Sequence, residues 1–254
     1  MKRESVPPST IVCAHRGASG THPENTIPAF RHAIDIGCEM VEFNVRMTSD
    51  VYTIILHDPT VDRTTDGSGN IWEMDFETVK ALDASYRHGV TYTGVRIPTF
   101  LELLDVLPPS LELNIHVYPG PNDTELIVQD VCRQIRSQNR MGSSFISGSE
   151  EVMRAVIKID SSVRRCLLDY SDQAQTYLEK CTEYSSYACQ PSNSITTREL
   201  CDRARELGLR IHPYFADEAS EMKRLVQCGV DGILTNYPER LIELLATRDG
   251  SNRI

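Results

Sequence analysis

Short β-type apolar runs alternate with amphipathic helical runs along the whole chain, and few architectures accept that rhythm. The strand-like runs are Ile11–Ala14, Met40–Val45, Thr53–Leu56, Leu111–Tyr118, Ser144–Ile146, Val163–Leu168, Ala188–Gln190, Arg210–Tyr214 and Gly232–Leu234. Between them fall helical stretches at Thr26–Ile36, Phe76–Leu82, Phe100–Val106, Thr124–Gln138, Glu150–Ile159, Asp172–Glu183, Thr196–Leu207, Ala219–Cys228 and Glu239–Ala246. Gly37, Gly208 and Gly229 follow such stretches, where a helix C-terminus favours a left-handed residue. With Thr53–Leu56 taken as an extension of the second strand, eight strands remain, which predicts an α/β fold, a single (β/α)8 barrel domain over residues 1–254. A doubly wound open sheet shares this local pattern, but no glycine-rich dinucleotide motif favours it. Residues 59–99 are polar and glycine-bearing, with one short helix, and predict a small insertion after the second strand.

Charge and cysteine usage narrow the partners. The formal net charge of -10 argues against nucleic acid or an anionic membrane surface as the main partner. No apolar run reaches the length of a membrane span. Residues 1–10 carry no apolar h-region, so no signal peptide is expected. Eight cysteines lie mostly inside apolar runs with no C-x-x-C pair, which predicts free core thiols and a reducing, cytoplasmic setting.

The polar residues at strand ends carry the chemistry. The first strand runs into His15-Arg16-Gly17, and a glycine-bearing loop then leads to Pro23-Glu24-Asn25-Thr26 at a helix start. The run Ile54-Ile55-Leu56 leads into His57-Asp58, followed by Asp62-Arg63-Thr64-Thr65. In a barrel, the C-terminal ends of strands hold the active site. Two imidazoles there suit general acid and base work on a phosphate, and Arg16 suits the phosphate's charge. A lone histidine is by default a satisfied core residue; His22, His32, His88 and His212 are read that way or as solvated.

These residues resemble the glycerophosphodiester phosphodiesterases. The resemblance rests on His15-Arg16-Gly17, Pro23-Glu24-Asn25-Thr26 with Ala29-Phe30, Glu42, Thr48, His57-Asp58 and Asp62-Arg63-Thr64-Thr65 with Gly67 and Gly69. It continues through Ile97-Pro98-Thr99 and the closing Gly229-Val230-Asp231-Gly232-Ile233-Leu234-Thr235-Asn236-Tyr237-Pro238. It implies a barrel that hydrolyses a small-molecule glycerophosphodiester, with His15 and His57 as acid and base and Arg16 on the phosphate. It also implies a divalent cation, magnesium or calcium, held by Glu-x-Asp on the second strand and a Glu on the third, with a Lys two residues later.

The chain departs from that pattern around the cation. The second strand keeps Glu42 but has Asn44, and the third has His116 and Tyr118. Three carboxylates and one ammonium would match a divalent cation, whereas here only one carboxylate remains. Glu42, Asn44 and His116 should therefore hold magnesium or calcium weakly. An imidazole suits zinc or manganese better, and a site with no metal, protonated His116 paired to Glu42, is a third option. Tyr118 and Tyr214 are predicted to line the substrate pocket, and Phe215, Asp217 and Ser147-Gly148 also depart from the usual pattern. Two readings follow: a phosphodiesterase working by hydrolysis or lyase-type cleavage, or a silent or repurposed barrel that binds a small, phosphorylated ligand.

Overall fold

The computed structural model describes residues 10–88, 92–169 and 174–251. Residues 1–9, read above as lacking a leader, and the start of the helix expected at Asp172 lie outside the described residues, as do 89–91 of the expected insertion.

The strands form a curled parallel sheet. β1 (Ile11–His15), β2 (Met40–Met47), β4 (Glu112–Val117), β5 (Ser144–Gly148), β6 (Arg165–Leu167) and β9 (Gly232–Thr235) run in the order β6-β5-β4-β2-β1-β9. β7 (Ala188–Cys189) and β8 (Arg210–Ile211) form a parallel pair. This pair joins the sheet at both edges. Tyr187 N donates to Arg165 O at 2.7 Å on one side, and Asp231 N donates to Ile211 O at 3.0 Å on the other. Eight parallel strands thus close into the expected barrel. Around it lie α1 (Ile27–Asp35), α3 (Phe100–Val106), α4 (Thr124–Ser137), α5 (Glu150–Asp160), α6 (Ala174–Glu183), α7 (Arg198–Glu206), α8 (Ala219–Cys228) and α9 (Pro238–Ser251), while α2 (Phe76–Ala81) lies in the 59–99 segment.

Period-two alternation sorts the side chains. Val41, Phe43 and Val45 of β2 join the apolar layer beneath the helices, as do Leu113, Ile115 and Val117 of β4. Cys13, Met40, Phe145, Cys166, Leu168, Ala188 and Leu234 form a second cluster in the barrel interior. On β2 and β4 the residues alternating with the helix-facing ones are Glu42, Asn44, Asn114 and His116, all buried. The pairing sets Glu42 beside Asn114, and Asn44 beside His116.

One expectation needs correcting. Thr53–Ile55 (β3) does not extend β2 but turns back and pairs with it antiparallel, Met47 opposite Thr53 and Val45 opposite Ile55. The cause is the turn at 48–52, where Thr48 Oγ1 donates to Asp50 Oδ1 at 2.7 Å and accepts Tyr52 N at 3.0 Å. The hairpin carries His57 back over the barrel mouth. The segment beyond it packs Val61, Ile71, Val79, Ala84 and Ile97 into a cluster of its own with Ile54 and Leu56.

Candidate active site

A cavity of about 170 Å³ at the barrel mouth is lined by His15, Arg16, Asn44, His57, His116, Tyr118, Tyr214 and Phe215, with Leu168 and Leu234. It gathers the residues expected to act as acid and base, to meet the phosphate and to line the pocket, with Asn44 and His116 of the cation shell, while Glu42 is fully buried outside its lining. A polar cleft of about 320 Å³ shares His15, Arg16 and Phe215 with it and adds Ser19, Glu24, Asp217, Asn236 and Tyr237.

His15 ends β1, and its partners fix its tautomer. Asn236 Nδ2 donates to the Asp217 carboxylate at 2.7 Å, and a carboxylate accepts only, so Asn236 Oδ1 faces the other way. That oxygen meets His15 Nδ1 at 2.8 Å and Ser19 Oγ at 2.8 Å. The proton therefore sits on Nδ1, and Nε2 keeps its lone pair, 3.8 Å from Glu42 Oε2. Burial, and then the Arg16 charge, lower the His15 pKa to about 4, so the ring is neutral at pH 7. Phe215 stacks on it at 5.3 Å.

His57 is fixed in the same way by a charged partner. Its Nδ1 lies 2.6 Å from Asp58 Oδ1, which leaves Nε2 as the basic nitrogen. Burial and Arg16 lower its pKa, while Asp58 works in the opposite direction. Asp58 itself is held at about 2, chiefly by Arg63, which donates from Nε to Asp58 Oδ2 at 2.6 Å. Arg63 also grips Glu24 at 2.6 Å, and Glu24 in turn accepts from Arg16 Nη1 at 2.9 Å. A chain of alternating charges thus ties the two histidine loops together, and the Asp62–Thr65 stretch serves as the brace for His57. Beneath it, Arg46 donates to the backbone oxygens of His57 at 2.8 Å and Tyr118 at 3.3 Å, with its guanidinium 5.3 Å from the Tyr118 ring.

Arg16 adopts a left-handed backbone at φ 58°, as does Asn25 at φ 57°. Strain of this kind costs about 1–3 kcal/mol and is held only where surroundings over-determine it. Gly17 follows at φ 76°, where a Cβ would come within 2.8 Å of Ala29. The tight turn presses the His-Arg loop onto α1. Among the described residues Arg16 Nε is buried without a hydrogen-bond partner, while the residue lines both cavities. A guanidinium side chain in the wall of two cavities is placed to offset an anion's charge.

The Glu42 shell is closed on itself. Asn44 Nδ2 donates to Glu42 Oε1 at 2.6 Å, His116 Nδ1 lies 3.2 Å from the same oxygen, and Arg16 N donates to Oε2 at 2.9 Å. Asn44 Oδ1 is taken by Asn25 Nδ2 at 2.8 Å. Burial pushes Glu42 up to about 7, against the pull of Arg16, and drives His116 down to about 3. Among the described residues no three His, Cys, Asp or Glu side chains come together as a metal-holding group. One engaged carboxylate, one engaged amide and one imidazole do not fit magnesium or calcium. His116 Nε2 has no hydrogen-bond partner among the described residues.

Sequence reasoning placed the histidines, Arg16 and the altered shell. It quoted Asn236 without a role, noted Asp217 only as a departure, and passed over Arg46. Beneath His116 it also passed over a polar layer, in which Asn114 donates to Gln190 at 3.0 Å and accepts from Ser147 at 2.7 Å. A polar residue inside a β-type run, as at Asn114 and Gln190, is the available signal.

Comparison with known proteins shows the family. The glycerophosphoryl diester phosphodiesterase family matches residues 15–240. A glycerophosphodiester phosphodiesterase of Caldanaerobacter subterraneus is 31% identical over 244 residues, 93% of this chain and 98% of its own length. Glycerophosphodiester phosphodiesterase 1 of Rattus norvegicus is 44% identical over 91 residues, 35% of this chain and 28% of its own. The solved structure of an Oleispira antarctica phosphodiesterase in complex with the product sn-glycerol-3-phosphate superposes with a TM-score of 0.87 at 22% identity, covering 93% of this chain and 96% of that one. The chain belongs to the glycerophosphoryl diester phosphodiesterase family.

Proposed function

We propose that this chain hydrolyses a glycerophosphodiester to glycerol 3-phosphate and an alcohol, with His15 and His57 as the acid–base pair and Arg16 on the phosphate. The observation that carries the proposal is the shared cavity, whose lining brings together two imidazoles and the Arg16 guanidinium side chain. Both imidazoles are tethered through Nδ1, so each offers Nε2 to the substrate. His57 takes the proton of the attacking hydroxyl or water, because Asp58 steadies the imidazolium that forms. His15 gives a proton to the leaving oxygen, the charge of the bound phosphate favouring its protonated form. Arg16 offsets the negative charge that gathers on the phosphoryl oxygens, usually the larger share of such catalysis. When the attacking group is the substrate's own neighbouring hydroxyl, the first product is a cyclic phosphate.

The second reading, a ligand-binding barrel without turnover, draws on the closed Glu42 shell. Release of glycerol 3-phosphate from glycerophosphodiesters, followed with and without added cations, separates the two. Absence of release under every condition, with tight binding of glycerol 3-phosphate, would favour the silent barrel.

Seven cysteines are buried and Cys228 partly so, all as free thiols, which supports a reducing compartment such as the cytoplasm. No described helix is long and apolar enough to cross a membrane. Residues 59–99 act as an insertion on a single barrel domain, supported by their separate apolar cluster. Partial deletion should leave most of the circular dichroism spectrum intact, and collapse to an unfolded chain would place the segment in the barrel wall instead.

A further inference from the structure

We infer that this chain binds the phosphate of its substrate without a divalent cation, because Glu42, Asn44 and His116 hold one another where the family resemblance places cation ligands. The inference rests on the functional reading above and concerns how the same site meets an anion. A magnesium or calcium site needs oxygen lone pairs converging on one point, with charge supplied by carboxylates. Around Glu42 the convergence is reversed. Nitrogen groups from Asn44, His116 and the Arg16 backbone surround the one carboxylate, at 2.6, 3.2 and 2.9 Å.

The order of donors leaves no oxygen to spare. Asn25 Nδ2 donates to Asn44 Oδ1 at 2.8 Å, and Asn44 Nδ2 donates onward to Glu42 at 2.6 Å. Turning the Asn44 amide over, to offer Oδ1 to a cation, would set its NH2 group against that of Asn25. Two buried hydrogen bonds would be lost at once. A cation that reached Glu42 would have to strip these donors away and would then sit beside the Arg16 guanidinium. Arg46, buried close by, donates to the carbonyls of His57 and Tyr118. The fixed charge that a phosphate meets here is therefore the guanidinium of Arg16, which lines both cavities. His15, His57 and His116 all border the cavity, but among the described residues no three His, Cys, Asp or Glu side chains converge as a transition-ion site would need.

The test uses the full chain, stripped with a chelator and titrated calorimetrically. Magnesium, calcium, manganese and zinc, each added alone, should give no saturable heat, and a dissociation constant below about 0.1 mM for any of them overturns the inference. Next, sn-glycerol 3-phosphate is titrated in EDTA and in each cation. Its affinity should change by less than about threefold, and tightening of tenfold (about 1.4 kcal/mol) or more overturns the inference. Glycerophosphodiester cleavage should persist in EDTA, and cleavage that requires an added cation counts against the inference while leaving the functional reading intact. Failure to bind or cleave under any condition overturns the functional reading instead, and the direct cation titrations still report on the shell. The variant Asn44→Asp/His116→Glu should gain saturable magnesium or calcium binding. No gain in a folded variant would show that these positions do not govern cation affinity, and the parental titrations decide the matter if it does not fold.

Discussion

Two histidines of the barrel interior, His116 on β4 and His212 just beyond β8, share burial and unpaired ring nitrogens but differ in what surrounds them. His116 keeps Nδ1 on Glu42 and borders the mouth cavity. His212 is fully buried, with Phe145 6.3 Å away, and among the described residues neither of its ring nitrogens has a partner. Burial drives both to a pKa of about 3. The same chemical group thus means two things. At a cavity wall the ring keeps one nitrogen against a carboxylate. Sealed in the barrel, it only lowers stability, because nothing replaces the water it lost.

The largest expected effects belong to the mouth. His15→Ala and His57→Ala should each lower phosphodiester turnover by about 10²–10⁴-fold while the melting temperature stays near the parental value. Either variant turning over at the parental rate removes that histidine from the chemistry. A melting temperature that fell steeply in both would blur the division between mouth and barrel.

Acid should expose the cost that the two regions share. The folded pKa values of His15, His116 and His212, about 4, 3 and 3, all lie below the ordinary value of 6.5. Each group therefore contributes stability that is full above pH 6.5 and lost as the pH falls toward its folded pKa. Each can remove about 1.4 kcal/mol per pH unit across that window. Glu42 runs the other way: raised from 4.5 to about 7, its contribution is full below pH 4.5 and lost as the pH rises through 7. Urea unfolding at pH 7, 6 and 5 should show a net fall, and an unchanged midpoint would contradict the neutral, buried state of the three rings.

His212→Leu sharpens the comparison directly. Removing two unpaired polar atoms from a sealed site should raise stability by about 1–2 kcal/mol, which is roughly 2–4 °C in melting temperature per kcal/mol for a chain of this size. The variant should also show a shallower acid loss and unchanged turnover. His116→Leu should instead weaken glycerol 3-phosphate binding, since it strips a neighbour from Glu42 at the mouth. If His212→Leu lowers the melting temperature, the ring has a partner that makes it more than a sealed cost.

The smallest effect lies outside both regions. Val51, exposed at the tip of the β2–β3 turn, has φ 65°, which a β-branched residue adopts under strain. Val51→Gly should relieve it by up to about 1 kcal/mol, with no change in activity. A loss of stability there would mean that the turn depends on the valine side chain.

The sequence alone determined the α/β class, because alternating strand and helix periods state which face of each element is apolar, whereas closure into a barrel shows in the hydrogen bonds that join β7 and β8 to β6 and β9. It also determined that Glu42 and Asn44, two apart on one strand, face the same way, and that the cation shell had lost its charge, since residue identity alone decides both. The antiparallel return of β3 was missed, because one hydrogen-bonded turn at Thr48 and Asp50 reverses a run that reads locally as continuing. Only the tertiary structure decided which nitrogen the His15 and His57 imidazoles offer. The tautomer of His15 depends on Asn236, 221 positions away, whose own orientation depends on Asp217. His57 depends on Asp58 and Arg63, and Arg63 on Glu24, 39 positions away. The groups closed around Glu42 come from β2 itself, from β4 and from the residue after β1. Such polar orientations are set by which partner can only accept and which can only donate, and folding brings those partners together from stretches that share no local pattern.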